Sequence, residues 1–186
     1  GRLFHRWQAE AITDTAWTPM GVSMVANPEV GETLGGLQTP HATKIGDAYL
    51  LVYGNWESIC LACGNDGKTF IRQLNTEGNS DLFNEGLGNQ TRDAMITLIE
   101  DRYHIYYTAN PDKKGAVYCR TSKDLVTWTE TRIVSSGGRA GEKWTDAEVP
   151  YVLYHAESEA YFLFRTHSPP TGEGDFLTSV YRSNDP

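Results

Sequence analysis

Three passages of the sequence repeat one pattern, and this repeat restricts the fold more than any other feature. Each passage reads as a strand, a polar turn and an aromatic-rich strand, and the three begin at Thr39, Asp93 and Val149. Each is followed by a further strand and a turn that contains an aspartate, at Asp66, Asp124 and Asp185. The chain is therefore predicted to consist of repeated β-hairpins with a loose period of about 57 residues.

Two hairpins per repeat give four antiparallel strands, which is the unit of a β-propeller blade. The runs around Leu50, Ile105 and Phe162 are apolar without clean alternation, as expected for strands whose two faces are both buried. We therefore predict an all-β fold with about three blades of a propeller. Residues 1–186 would form one partial domain, divided into the end of a first blade (1–30), a second blade (36–75), a third blade (91–135) and an incomplete fourth blade (145–186).

The overall charge argues against two classes of partner. The formal net charge is -8 and no run rich in lysine or arginine is present, so we expect no binding to nucleic acid or to an anionic membrane. No apolar stretch reaches about 18 residues, which predicts a soluble protein without a spanning helix. The sequence leaves open whether it is cytoplasmic or secreted.

The three cysteines are too few and too scattered to indicate a disulfide framework. Cys60 and Cys63 have the spacing of a metal or redox pair, but they lie in an apolar run that is typical of a strand. Residues three apart on a strand point to opposite faces, so this pair is not expected to bind one metal ion. We predict free thiols.

Several motifs resemble the five-bladed propeller glycoside hydrolases of the arabinanase and β-fructosidase superfamily, which includes families 43 and 32. Arg92-Asp93-Ala94 is similar to that family's Arg-Asp-Pro, and Glu148-Val149-Pro150 to its Glu-Cys-Pro or Glu-Gly-Pro. Gly1 to Gln8 is similar to a strand of the family's first blade, and the Ser-Lys-Asp-Leu-x-x-Trp hairpin recurs at 122–128. The resemblance covers nearly the whole chain and implies a propeller of five blades.

The resemblance also implies roles for two acids at the starts of innermost strands. Glu148 would be the general acid that protonates the leaving glycosidic oxygen, and Asp93 would hold sugar hydroxyls and tune that acid. The family's third acid would lie before Gly1, and Ala94 departs from the family's proline. Two other readings stay open: a solvated loop carboxylate for Glu148, and an ion pair with Arg92 or a turn cap for Asp93.

Further residues are candidates for contacts with a sugar. His41 stands at the start of the first repeat, where it could bind a hydroxyl or a central ion. Aromatic rings can stack on the C–H faces of sugars, and the candidates for this are Trp56, Trp144 and Tyr53. Polar candidates are Arg92, Arg139, Arg165 and His167, whereas Asp146 is expected to be an ordinary loop residue.

These observations predict a glycoside hydrolase-like protein that binds an oligosaccharide or glycoside and hydrolyses glycosidic bonds when its site is complete. The alternative is a noncatalytic propeller that binds carbohydrate or serves in assembly. No cofactor or metal ligand set is predicted, although a structural ion in the funnel stays open. Blade faces left uncovered in a partial propeller would favour a homo-oligomer.

Overall fold

The computed structural model of the protein describes residues 2–137, 143–169 and 174–186. Fourteen strands lie within these ranges: β1 Phe4–Gln8, β2 Thr18–Met24, β3 Leu37–Ile45, β4 Ala48–Asn55, β5 Ser58–Gly64, β6 Ile71–Arg72, β7 Asp81–Phe83, β8 Arg92–Ile99, β9 Arg102–Ala109, β10 Ala116–Ser122, β11 Arg132–Ser136, β12 Glu148–His155, β13 Ala160–His167 and β14 Leu177–Ser183. Short 3₁₀ turns occur at Pro28–Val30, Pro111–Lys113 and Ala156–Ser158. Within the described ranges, no helix is long and apolar enough to cross a membrane.

The strands form four antiparallel sheets that follow one another along the chain. The first sheet is β1-β2, the second is β3-β4-β5-β6 with β7 also beside β5, the third is β8-β9-β10-β11, and the fourth is β12-β13-β14. Because β6 and β7 pair with different parts of β5, the outer strand of the second sheet is split in two. The predicted all-β fold with four-stranded antiparallel blades is confirmed.

Neighbouring sheets pack face to face through their first strands. β3 and β4 contact β8, and β8 and β9 contact β12. The interface between the second and third sheets is centred on Val52, Ile59, Leu61, Ile96 and Ile105. The second and third sheets are therefore buried on both faces, which explains why their sequences do not alternate between apolar and polar residues.

The cysteines of β5 illustrate this two-sided burial. Cys60 belongs to the cluster between the first and second sheets, whereas Cys63 packs against the cluster between the second and third sheets. All three cysteines, including buried Cys119, are free thiols. The prediction that Cys60 and Cys63 point to opposite faces is confirmed.

The first strands of the second, third and fourth sheets, which we call the innermost strands, are β3, β8 and β12. Each of them has a β-bulge near its first residue. The pairing registers shift after Gln38 in β3, after Arg92 in β8 and after Glu148 in β12. The next residue has a left-handed backbone in each case, with φ of 45° at Thr39, 57° at Asp93 and 49° at Val149. These are the three residues at which the sequence repeats begin. Bulges re-aim side chains at the end of a strand, so the repeats bring their polar starts to one end of the molecule.

Two carboxylates, the buried Glu32 and the partly buried Glu85, fasten the segments that lead into β3 and β8. The Tyr53 hydroxyl donates to Glu32 at 2.6 Å, and Arg72 donates to both Glu32 oxygens at 2.8 and 2.7 Å. Burial alone would raise the pKa of Glu32, but the hydrogen bonds from Arg72, Tyr53 and the Asn27 backbone hold that pKa below its ordinary value. Each segment is thereby fixed to the strands behind it.

The third sheet repeats this arrangement with different residues. The Tyr107 hydroxyl donates to Glu85 at 2.5 Å, and Arg120 donates to the same carboxylate at 2.9 Å. In the fourth sheet the arginine and the tyrosine have changed places. Arg165 on β13 is equivalent to Tyr107 on β9, and Tyr181 on β14 is equivalent to Arg120 on β10. We call the Glu32 and Glu85 groups the carboxylate clamps.

Candidate active site

Two carboxylates and one arginine meet where β8 and β12 begin. Arg92 Nη2 lies 2.6 Å from Glu148 Oε1, and Arg92 Nε lies 3.6 Å from Asp93 Oδ2. The Val149 backbone N–H also donates to Asp93 Oδ2 at 3.3 Å. We call Arg92, Asp93 and Glu148 the Arg92 cluster. The two acids assigned by the resemblance are thus brought together, although Asp93 and Glu148 are 55 residues apart in the sequence.

The bulge register explains how two acids from different repeats meet. Glu148 is equivalent to Arg92, and Asp93 is equivalent to Val149. The ion pair between Arg92 and Glu148 therefore joins equivalent positions of neighbouring strands, and the Val149–Asp93 hydrogen bond joins the next pair. A cation in one repeat faces an anion in the other.

Asp93 has an unusual electrostatic environment. Only 8% of the residue is exposed. Burial raises the pKa of Asp93, the Arg92 charge partly offsets this effect, and the Glu148 charge adds to it. A buried carboxyl with a raised pKa beside a second carboxyl is the kind of pair that enzymes use to separate acid and base roles.

Arg92 is held from several sides. Its Nη1 donates to the Gln90 backbone carbonyl at 2.9 Å and approaches Asn110 Oδ1 at 3.4 Å, and its Nη2 donates to the Trp144 carbonyl at 3.2 Å. Gln90 is itself fixed, because its backbone N–H and that of Gly88 donate to one carboxylate oxygen of Glu57. The arginine is therefore placed by residues of the second and third sheets and of the loop before β12.

His41, on β3, contacts the two strands that carry this cluster. Its Nδ1 accepts a hydrogen bond from the Ile96 backbone N–H at 3.4 Å, and its ring meets the edge of Tyr151 at 6.2 Å between centroids. Burial lowers the pKa of His41, which favours the neutral ring near pH 7. His41 thus touches the innermost strands of both following sheets.

Two of the candidate aromatic residues are exposed at this end of the molecule. Trp144 is 50% exposed, and the Arg92 guanidinium lies 5.7 Å from its ring centroid. Trp56 is 44% exposed in the β4–β5 turn, next to the guanidinium of Arg2 at 4.7 Å. The third aromatic candidate, Tyr53, is fully buried in a carboxylate clamp, so the prediction that it stacks on a sugar is wrong.

The remaining polar candidates are bound to protein groups. Arg165 is 1% exposed and donates to Tyr181, Ser135 and the Gly137 carbonyl. Both ring nitrogens of His167 lie within hydrogen-bonding distance of Ser168 and Ser179. These contacts favour structural roles for Arg165 and His167. Arg139 lies outside the described residues.

Asp146 shapes the approach to β12. It is buried, and its Oδ2 accepts a hydrogen bond from the Lys143 backbone N–H at 2.7 Å. This contact closes the turn that carries Trp144 and leads into Glu148. In the described part of the chain, no group of three histidine, cysteine, aspartate or glutamate side chains is arranged to hold a metal ion.

Several contributors to the site had no signal in the sequence. Glu57 and Gln90 position Arg92, yet neither lies in a repeat motif, and both act through contacts between separate loops. Thr39 is equivalent to Asp93, so the repeat alignment marks its position but not a role. The Arg92–Glu148 ion pair could not be predicted, because alignment gives equivalence and not which neighbours touch.

No protein-family model matches this sequence, and no curated protein matches it. Solved structures do match. A thermostable family-43 glycoside hydrolase is 17% identical, with a TM-score of 0.77 over 100% of this chain and 62% of the other. A GH32 β-fructofuranosidase from Bombyx mori is also 17% identical, with a TM-score of 0.64 over 89% and 36% of the two chains.

A third similar structure is an N-acetylgalactosamine deacetylase from F. plautii in complex with blood group B trisaccharide, at 12% identity. Its TM-score is 0.65, over 88% of this chain and 54% of that one. The chain thus spans between about one third and two thirds of the length of these three structures. At these identities the likeness establishes the fold, and the chain has the architecture of the five-bladed propeller glycoside hydrolases over part of that propeller.

Proposed function

We propose that this chain carries part of the active site of a glycoside hydrolase, with Glu148 as general acid and Asp93 as the carboxylate that stabilises the sugar and tunes the acid. One observation carries the proposal: Arg92 joins these two acids at the adjoining ends of β8 and β12. Glycoside hydrolysis ordinarily uses a protonated and an ionised carboxyl group on either side of one bond. The cluster supplies two carboxyl groups in different environments.

Substrate binding has a definite task in this proposal. A general acid must be free to reach the leaving oxygen, whereas Glu148 is bound to the Arg92 guanidinium at 2.6 Å. A sugar hydroxyl that accepts a hydrogen bond from Arg92 would compete with Glu148 for the guanidinium. Glu148, released from Arg92, would then donate its proton to the leaving oxygen, while a further carboxylate activates water or attacks the anomeric carbon.

The surroundings suit a sugar. Trp144 offers an exposed ring beside Arg92, and Asp93 can accept hydrogen bonds from hydroxyl groups. Planar rings and buried polar groups together are the usual components of a site for a polar ring with apolar faces. We therefore propose an oligosaccharide or glycoside as the ligand.

Hydrolysis should be tested on a form in which the rest of the propeller is present, because the similar enzymes are longer than this chain. Aryl arabinosides, xylosides and fructosides are suitable substrates. We expect Glu148→Gln to lower kcat by about 10²–10⁴-fold, the usual contribution of a general acid. Glu157→Gln, in the exposed turn at the other end of β12, is the matched control and should keep full activity.

Unchanged turnover in Glu148→Gln would remove Glu148 from the role of general acid. A loss of equal size in Glu157→Gln would show that folding, and not proton transfer, was affected.

The alternative is a propeller that binds carbohydrate without cleaving it. The Arg92 cluster suits this alternative as well, since carboxylates and a guanidinium can hydrogen-bond to sugar hydroxyls without any proton transfer. Comparing oligosaccharide binding with cleavage of aryl glycosides distinguishes the two functions. A binding protein would hold an oligosaccharide through Asp93 and Trp144 while every aryl glycoside stays intact.

A further inference from the structure

A cavity of about 480 Å³ lies between the third and fourth sheets and shares no residue with the Arg92 cluster. Its walls come from β9, β11, β12, β13 and β14, and include Tyr106, Val134, Val152, Tyr161, Leu163 and Asp185. The volume falls in the range of sites that bind small molecules. The equivalent spaces between the other neighbouring sheets are filled by side chains.

The strand registers identify that equivalent space. Leu163 lies between Val152 and Tyr181 in the fourth sheet, as Ile105 lies between Ile96 and Arg120 in the third. The cavity therefore corresponds to the hollow between the second and third sheets. There, Leu125 and Trp128 pack against the apolar cluster, with the Trp128 ring 5.8 Å from Phe83.

The turns beside the two spaces have the same construction. The Asp124 backbone N–H donates to the Ser122 hydroxyl at 3.2 Å, and the Asp185 N–H donates to the Ser183 hydroxyl at 3.1 Å. The preceding sheet fastens each turn one residue further on. Gln73 donates to the Leu125 carbonyl at 2.5 Å, and Arg132 donates to the Pro186 carbonyl at 2.7 Å.

The second sheet has a related turn, which is also followed by an aromatic residue that packs between two sheets. Asp66 closes that turn by accepting from the Lys68 and Thr69 backbone N–H groups, and Phe70 then packs between the first and second sheets. Both Phe70 and Trp128 stand four residues after the turn aspartate. Two of the three spaces between sheets are thus filled by an aromatic ring from this position.

The cavity is also lined by a buried hydroxyl group, that of Tyr106, which forms no hydrogen bond within the described residues. Tyr106 is 1% exposed, and within the described residues its hydroxyl has no hydrogen-bond partner. Val52 is the equivalent residue in the second sheet and has no polar side-chain atom. An unpaired buried hydroxyl is costly, so a ligand that bonds to it gains affinity.

We propose that this cavity binds one aromatic ring with a hydrogen-bonding group, of the indole or phenol class. The ligand is a free aromatic compound. Its ring would be buried against Val152 and Leu163, and its polar atom would bond to the Tyr106 hydroxyl.

The experiment uses indole and two extended forms of the 186-residue chain. One form carries Val-Thr-Trp-Thr-Glu, copied from residues 126–130, directly after Pro186. The matched control carries Val-Thr-Ala-Thr-Glu. Indole binding is followed by calorimetry and by amide shifts of Val134 and Leu163, and thermal unfolding is recorded for all three forms.

We expect indole to bind the unextended chain with a Kd on the order of 1 mM or tighter. The tryptophan extension should raise the Tm above that of the alanine extension by about 4 °C or more and should abolish indole binding. Binding of indole together with this loss supports the site, because the attached ring then competes with indole for the cavity.

Two outcomes would overturn the proposal. In the first, indole does not bind the unextended chain. In the second, indole binds equally to all three forms, which places it outside the cavity.

Discussion

Asp93 and Glu148 differ in what their surroundings do to a carboxyl group. Asp93 is buried at a bulge where burial and the neighbouring Glu148 charge raise its pKa. Glu148 is more open and bonds to Arg92 at 2.6 Å. The site therefore contains one carboxyl group whose pKa is raised and another that is bound directly to an arginine.

The raised pKa of Asp93 predicts how stability depends on pH. The folded state binds the Asp93 proton more tightly than the unfolded state does, so stability falls as the pH rises from 3.8 through the raised pKa. Asp93→Asn removes this cost, and we expect it to be more stable than the wild type at pH 7 and equal to it at low pH. Urea unfolding across this range measures both.

Asp101→Asn is the control for this prediction. Asp101 is exposed, and its hydrogen bond and ion pair with Lys123 lower its pKa, so the variant should gain no stability at pH 7. An Asp93→Asn variant that is less stable than the wild type at pH 7 would contradict this prediction.

Among the elements, the carboxylate clamps hold the segments that lead into the innermost strands. Glu32 precedes β3 and Glu85 precedes β8, and each accepts from a tyrosine and an arginine of the sheet it fastens. The clamped segments lead into the bulges at Thr39 and Asp93, where the backbone is left-handed. The clamps are therefore expected to contribute to the stability of the fold around the site, although their side chains do not contact it.

We expect Glu32→Gln to lower the free energy of unfolding by about 2–3 kcal/mol at pH 7, because Arg72 loses its buried counter-charge. The lowered pKa of Glu32 means that this contribution is present above pH 4.5 and is lost as the pH falls through the lowered value. The variant's deficit should therefore shrink in acid. Chemical unfolding of the wild type and the variant at pH 7 and at acidic pH measures this deficit in unfolding free energy.

Glu29→Gln is the matched control, since Glu29 is exposed in the 3₁₀ turn just before Glu32. The prediction fails if both substitutions cost the same, or if the Glu32→Gln deficit grows in acid.

Much of the element order could be predicted from sequence, for a physical reason. Repeats that begin at Thr39, Asp93 and Val149 encode the same hairpin each time, so aligning them locates the bulges. The clamps could not be predicted in this way. Glu32 and Arg72 are far apart in the chain, and Arg165 with Tyr181 exchanges two side chains between strands, which erases the repeat signal.

Over the whole molecule, the two outer sheets each leave one face uncovered. Trp7 and Val22 are about half exposed on the first sheet, and Tyr151 and Val180 are about half exposed on the fourth. Tyr151, Phe164 and Val180 form one row across paired strands. Contiguous apolar faces of this kind favour association.

We therefore predict that the 186-residue chain self-associates through these faces. Sedimentation velocity should show a weight-average mass that rises with concentration, and Val180→Lys, placed within the row, should shift the distribution toward the monomer. A single monomeric species at all concentrations would contradict this prediction.

Carbohydrate binding at the Arg92 cluster would be detected residue by residue in a titration observed by ¹H–¹⁵N NMR. Arabino-, xylo- and fructo-oligosaccharides would be added to the 186-residue chain and to its Asp93→Ala variant. We predict that at least one sugar shifts the amides of Asp93 and Glu148 and the Trp144 indole, and that these shifts vanish in the variant. Shifts confined to other surfaces, or shifts that survive in Asp93→Ala, would contradict this prediction.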